Sequence, residues 1–233
     1  MAWAPGLAIV LLVLANLLNN RWAARAYVVT CVATTAVLLA LLPLAGLGWA
    51  DAGLARADLV EGARWGLACA GIVAAGYLIG ALLPRTRVWF VDRRAERAGP
   101  RDLWYQMGVR IPFGTVLLEE VAFRGVLYGL AAAAYGPAWA VLLSSVLFGL
   151  WHVLPSRGAV RDNRGAGQAF GARPALVVPA AVVASALAGL VLLELRRRTG
   201  SLVPALSVHW ATNALGYLTA YLVTKRSTSS ATS

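Results

Sequence analysis

The stretch VLLEEVAFRGVLYG, residues 116–129, sets Glu119, Glu120 and Arg124 inside an apolar run from Ile111 to Ala134 that carries no other charge. The run is long enough to cross hydrocarbon as a helix, for which about 17 to 25 residues suffice. The rest of the chain reads the same way: of 233 residues, 60% are hydrophobic and 13% charged, with a mean hydropathy of +0.69. Such a chain is too apolar for a water-soluble domain and takes lipid as its solvent. Further runs at Ala2 to Leu18, Ala26 to Ala50, Trp65 to Leu83, Ala138 to Leu154, Pro174 to Leu193 and Leu202 to Val223 bring the candidate spans to seven. In lipid every backbone group must be satisfied within the protein. The predicted fold is therefore all-α, a polytopic transmembrane helical bundle of about seven spans.

The formal charge of +11 comes from twenty Arg and one Lys. A nucleic-acid partner would require these to form one basic face, whereas they lie between the apolar runs, so none is expected. They cluster at Arg21 and Arg25, from Arg85 to Arg110, from Arg157 to Arg173, and at Lys225 and Arg226, which are alternate loops of a seven-span chain. By the positive-inside rule these loops are cytoplasmic, with the N-terminus outside. The count is 15 basic residues inside against 5 outside, and three of the five are the contrary run Arg196, Arg197, Arg198. The first run has no basic segment before it and no small-residue cleavage site after Leu18, and reads as a retained helix. Cys31 and Cys69 fall in apolar runs and give neither metal-ligand spacing nor a disulfide framework.

The expected division along the chain is 1–110 as N-terminal helices plus a basic interfacial segment, 111–224 as a helical core, and 225–233 as a disordered tail. The segment from Pro84 to Arg110 mixes Trp89, Phe90, Trp104 and Tyr105 with seven Arg, as suits a short amphipathic helix on anionic lipid or a plain interfacial loop. The Gly-rich stretch from Arg157 to Arg173 reads as a flexible loop.

A bare carboxylate near mid-membrane costs several kcal/mol, so each must be paired, neutralised or wetted. Glu120 and Arg124, four apart on one face, can pair. Glu119 lies about 100° round the helix and needs another partner. The chain has two histidines, His152 and His209, both in other apolar runs, and Asn213 shares a helix face with His209. A carboxylate, two imidazoles and an amide from three spans form a candidate site. A Glu and a His can activate a water, and a second His with an Asn can hydrogen-bond the oxyanion that forms when it attacks a carbonyl. Alternatively, Glu119, His152 and His209 form the donor set of a catalytic zinc ion (Zn2+), although the HExxH pattern is missing. No GxSxG, P-loop or GxGxxG occurs.

The chain resembles the CPBP intramembrane proteases, which include the type II CAAX prenyl endopeptidases and bacterial bacteriocin-processing or immunity proteins. Their pattern is EExxxR on one helix, FxxxH on the next and HxxxN or HxxxD on a later one. Glu119, Glu120 and Arg124 match the first, Phe148 and His152 the second, and His209 and Asn213 the third. The resemblance covers about Ile111 to Leu222. It implies that Glu119 and His152 activate the water, that His209 and Asn213 form the oxyanion site, and that Glu120 and Arg124 are chiefly structural. Both metallo and metal-free glutamate mechanisms are argued for the family. The expected substrate is a protein or peptide at the membrane. The preference for Arg over Lys and the Ala-rich helices suggest the plasma membrane of a GC-rich bacterium. The competing reading is a small proton-coupled transporter, for which Glu, His and Arg inside spans would be a relay. A catalytically silent membrane binding protein is a third.

One mismatch stands out. In a simple seven-span model His152 lies late in its run and His209 early in a parallel one, about 10 Å apart in depth. Either the RRRTGS turn, residues 196–201, dips inward or a helix is offset.

Overall fold

A computed structural model describes residues 2–158, 171 and 173–229. Its main helices are α1 (Trp3–Trp22), α2 (Ala24–Leu44), α3 (Arg56–Leu82), α4 (100–135), α5 (Pro137–Trp151), α6 (Val177–Thr199) and α7 (Val203–Ser229). No strand occurs among the described residues. Helices α1, α2, α3 and α6 are long and apolar enough to cross a membrane, and α5 is a shorter apolar helix.

The helices alternate in direction. At one end Tyr135 donates its hydroxyl to the Ala2 carbonyl at 3.1 Å. At the other, Asn16 Nδ2 donates to Trp151 O at 2.8 Å and Lys225 Nζ to Glu96 O at 3.0 Å. This second end carries the basic clusters and is called the basic face below. Leu118, Phe123, Leu127, Phe148 and Trp151 of α4 and α5 pack with Leu12 of α1 and with Leu38 and Leu42 of α2 in the main core. Large apolar side chains such as Val29, Leu67 and Ile72 point outward, as expected where the surroundings are lipid and burial brings no hydrophobic gain.

Several boundaries differ from the apolar runs. Helix α3 begins at Arg56 rather than Trp65, its first turns carrying Glu61, which accepts from Trp65 Nε1 at 2.8 Å. Helix α2 stops at Leu44, just after Pro43, and the chain turns at Gly46 (φ 72°). The interfacial segment divides: short helical turns cover Pro84–Arg87, Val88–Phe90 and Arg93–Arg97, while its last third is the start of α4. Gly99 N bonds to Asp102 Oδ2 at 2.8 Å and Pro100 supplies the fixed φ of a first helical residue. Helix α4 ends at Gly136, whose φ of 85° is easy only for glycine, and Pro137 opens α5 at once. Most of the stretch from Arg157 to Arg173 lies outside the described residues. Helix α7 continues to Ser229, and the tail beyond it also lies outside them.

The depth mismatch is resolved by a recess. The loop between α2 and α3 and the turn between α6 and α7 are drawn inward together, joined by Leu202 N bonding to Gly53 O at 2.8 Å. Arg196 reaches back to donate to Asp51 O, and its guanidinium lies 4.8 Å from the Tyr128 ring centroid. The loop presses on α4 where side chains are missing: a Cβ on Gly129 would lie 2.8 Å from Asp51 O. Residues 128 and 129 are six to seven residues short of the end of α4, so the turn that starts α7 is recessed by about 10 Å. Arg196 is thereby consumed in packing, and Arg197 and Arg198 pair with Glu194 at 3.1 and 2.8 Å. Arg196, the first of the contrary run, is thus a latch for the recessed loop.

Candidate active site

Glu119 and Glu120 are adjacent, buried and held by different partners. Glu120, fully buried, accepts at Oε1 from Arg124 Nη1 at 3.1 Å, the i, i+4 pair expected from the sequence. The same oxygen lies 2.6 Å from His209 Nδ1. Glu119 Oε1 accepts from the indole Nε1 of Trp151 at 3.0 Å, and its Oε2 has no hydrogen bond.

Both histidines are anchored through Nδ1. His152 Nδ1 lies 2.8 Å from the Phe148 carbonyl, one turn back, and a carbonyl can only accept, so Nδ1 carries the hydrogen. The Glu120 carboxylate likewise holds a hydrogen on Nδ1 of His209. Each ring therefore turns Nε2 toward one atom, Glu119 Oε2, at 4.0 Å from His152 and 3.8 Å from His209. The recess of α7 is what brings His209 to this depth.

Phe148 links the group. Its ring lies beneath the Arg124 guanidinium, 3.7 Å from centroid to Cζ, and meets the imidazoles of His152 and His209 edge to face at 4.7 and 6.2 Å. Arg124 has one hydrogen bond, to Glu120, its Nε and Nη2 have none, and the aromatic face adds a cation–π contact. Opposite Phe148, Gly189 of α6 leaves room: a Cβ there would be 2.9 Å from the ring.

Residues 101–215 match the family described as type II CAAX prenyl endopeptidase Rce1-like. The chain carries an Rce1-like protease domain. Neither a curated protein nor a solved structure matches the chain. The Rce1-like segment takes in nearly all of α4, then α5, α6 and the first half of α7, and holds Glu119, Glu120, Arg124, Phe148, His152, His209 and Asn213. That match supports intramembrane endopeptidase activity at the level of the family, and together with the long apolar helices it suggests an integral membrane protein. Helices α1 and α2, outside the matched segment, still reach the site: Asn19, Asn20 and Tyr27 line a cavity of about 320 Å³ with Arg110, Thr115, Glu119, Trp151, His152 and Pro155. The cavity is lined from the basic face.

Asn213 is not among the residues that line the Glu119 cavity. It lies one turn beyond His209 toward the basic face and lines a larger polar cavity of about 720 Å³ with Gln106, Arg110, Tyr217 and others. Trp151 and Asn16, which hold Glu119 and the Trp151 backbone, were not singled out from sequence. The available signal was a Trp directly before His152, which reads as ordinary apolar sequence.

The donor chemistry of Glu119, His152 and His209 is that of a zinc set, with both Nδ1 atoms tied as ligating histidines usually are. Their spacing is not. Tetrahedral donors at 2.0–2.2 Å stand roughly 3.4 Å apart, short of the 3.8 and 4.0 Å seen here. Among the described residues no group of three or more His, Cys, Asp or Glu is gathered as a metal site.

Proposed function

We propose that the Glu119 group hydrolyses a peptide bond of a membrane-associated protein or peptide with a water activated by the chain's own side chains. The observation that carries this reading is the convergence of two Nδ1-anchored imidazoles on the one unbonded carboxylate oxygen. With Oε1 held by Trp151, Oε2 is the base. A water between Oε2 and the imidazoles gives a proton to Oε2 as its oxygen bonds to the substrate carbonyl carbon. His209, protonated on both nitrogens with Glu120 as its counter-charge, is the group that donates from Nε2 to the developing oxyanion. When the C–N bond breaks, the proton passes to the leaving amine by way of His152, which lines the cavity. The products are a carboxylic acid and an amine. Asn213 meets the substrate chain where it crosses into the larger cavity.

The test is cleavage of a quenched fluorogenic peptide library by the detergent-purified chain, with and without a zinc chelator. General-base catalysis by one side chain is worth about 100- to 10,000-fold, so Glu119→Gln is expected to lose activity on that scale while keeping its unfolding temperature. Wild-type cleavage is expected to survive the chelator. Full activity in the Glu119→Gln variant would overturn the assignment of the base, and loss to the chelator with recovery on added zinc would overturn the metal-free step.

A further inference from the structure

Helix α5 ends at Trp151, and the residue four places on is Pro155. In α-helical register the Trp151 carbonyl would accept from the N–H of residue 155, and a proline has none. The register itself continues, since Ser156 N bonds to His152 O at 3.1 Å. One carbonyl is therefore left to find its donor elsewhere, in surroundings where an unsatisfied polar group is costly. Asn16 of α1 supplies that donor: its Nδ2 bonds to Trp151 O at 2.8 Å.

The neighbours of Asn16 hold it to this task. Among the described residues that line an apolar cavity of about 270 Å³, with Leu12, Val13, Phe123, Leu147 and Leu150, it is the one amide. Asn20, one turn further along α1, donates to Asn16 Oδ1 at 3.2 Å, which leaves the Asn16 nitrogen to face Trp151. Trp151 lines both this apolar cavity and the Glu119 cavity, and its ring meets Phe123 edge to face at 5.7 Å. Its Nε1 is the donor to Glu119 Oε1. Asn16 thus fixes the backbone of Trp151 at a helix end, where helices fray, and the indole fixes the carboxylate.

We infer that Asn16 is a positioning residue for the Glu119 base, acting through the Trp151 backbone in place of the helix donor that Pro155 removes. This rests on the protease reading above. Helix α1 precedes the matched segment 101–215, so the site is completed by a helix that the family match does not cover. Asn16 is not among the described residues that line the Glu119 cavity, and its loss is expected to slow the chemical step without weakening substrate binding.

The test is steady-state cleavage of one peptide by the full chain in detergent, run as two mutant cycles. Asn16→Leu is expected to lower kcat about tenfold, the scale of one buried hydrogen bond, with KM little changed. In a Trp151→Phe background, which lacks the donor to Glu119, the same substitution is expected to change kcat by less than about twofold, because its route to the base is already cut. In a Pro155→Ala background, where residue 155 has its N–H, the tenfold effect is expected to shrink in the same way. A residue that only packs α1 against α5 would give the same loss in all three backgrounds, and that result, or no loss in the first, would overturn the inference. Asn16→Ala is carried through the same cycles, and if neither variant folds, Asn16 holds the fold rather than the base and the inference falls. The indole N–H resonance of Trp151, assigned by its absence in Trp151→Phe, is read on the same preparations. It is expected to move in Asn16→Leu and to return when Pro155→Ala is added. If no peptide is cut but the resonance behaves this way, the protease reading falls and the Asn16 assignment stands. A resonance that stays in place in Asn16→Leu overturns the assignment whether or not the chain cleaves peptides.

Discussion

Removing the Glu120 charge separates what it does for the fold from what it does for the chemistry. Glu120 and Arg124 are fully buried, 3.1 Å apart, and Glu120 also holds His209 Nδ1 at 2.6 Å. In Glu120→Gln the arginine keeps its charge and loses its counter-charge, and breaking a buried pair from one side costs about 3–5 kcal/mol. At roughly 2–4 °C of unfolding temperature per kcal/mol for a chain of this size, the expected drop is on the order of 10 °C. Replacing both partners, as in Glu120→Leu with Arg124→Leu, removes the stranded charge and is expected to recover most of that loss, since apolar replacement of a buried pair is often close to neutral. The recovered protein should still cleave poorly, because nothing then anchors His209 Nδ1 or balances the charge on its ring. The assay is thermal unfolding in detergent followed by size exclusion, with peptide cleavage on the same preparations. A Glu120→Gln variant as stable as wild type, or a double variant no more stable than the single, would refute the claim that the pair is held by mutual compensation. A double variant with full activity would refute the link from Glu120 to His209.

Two further outcomes follow from the site and the recess. Trp151→Phe keeps an aromatic ring and removes the donor to Glu119 Oε1; kcat should fall about 10- to 100-fold, the scale of one hydrogen bond to a charged group, with KM little changed. Steady-state kinetics on a cleaved peptide would show it, and an unchanged kcat would mean that the indole is only packing. Gly129→Val puts a branched side chain where even a Cβ would lie 2.8 Å from Asp51 O. Overpacking of this kind costs about 1–3 kcal/mol, and a variant that unfolds at the wild-type temperature would argue against the recessed loop.

The all-helical membrane fold and the pairing of Glu120 with Arg124 were legible in the sequence because both depend on local rules: run length in lipid, and side chains four apart on one helix face. The approach of Glu119, His152 and His209 followed from their being polar groups with few places to go in hydrocarbon. What was not legible depends on relations between helices. The recess of α7 comes from Gly125, Gly129 and Arg196, which in sequence are two small residues and a misplaced cation. That Arg110 and Glu119, nine residues apart, line one cavity goes with the wider i→i+5 turns of α4 from Gln106 to Val116, since regular α-helical spacing would put them on opposite faces. The position of Asn213 beside the larger cavity, a turn away from the Glu119 group, depends on where α7 begins, which the length of an apolar run does not fix.

The recessed loop has a consequence for the membrane as a barrier. The ends of α2, α3, α6 and α7 fold in behind Gly125 and Gly129, while the Glu119 cavity is lined from the basic face. In the proposed reaction water would thus be drawn from one compartment, with the packed loop acting as a stopper on the far side. An enzyme built this way can keep titratable groups deep in the bilayer without short-circuiting the ion gradient that the same bilayer maintains.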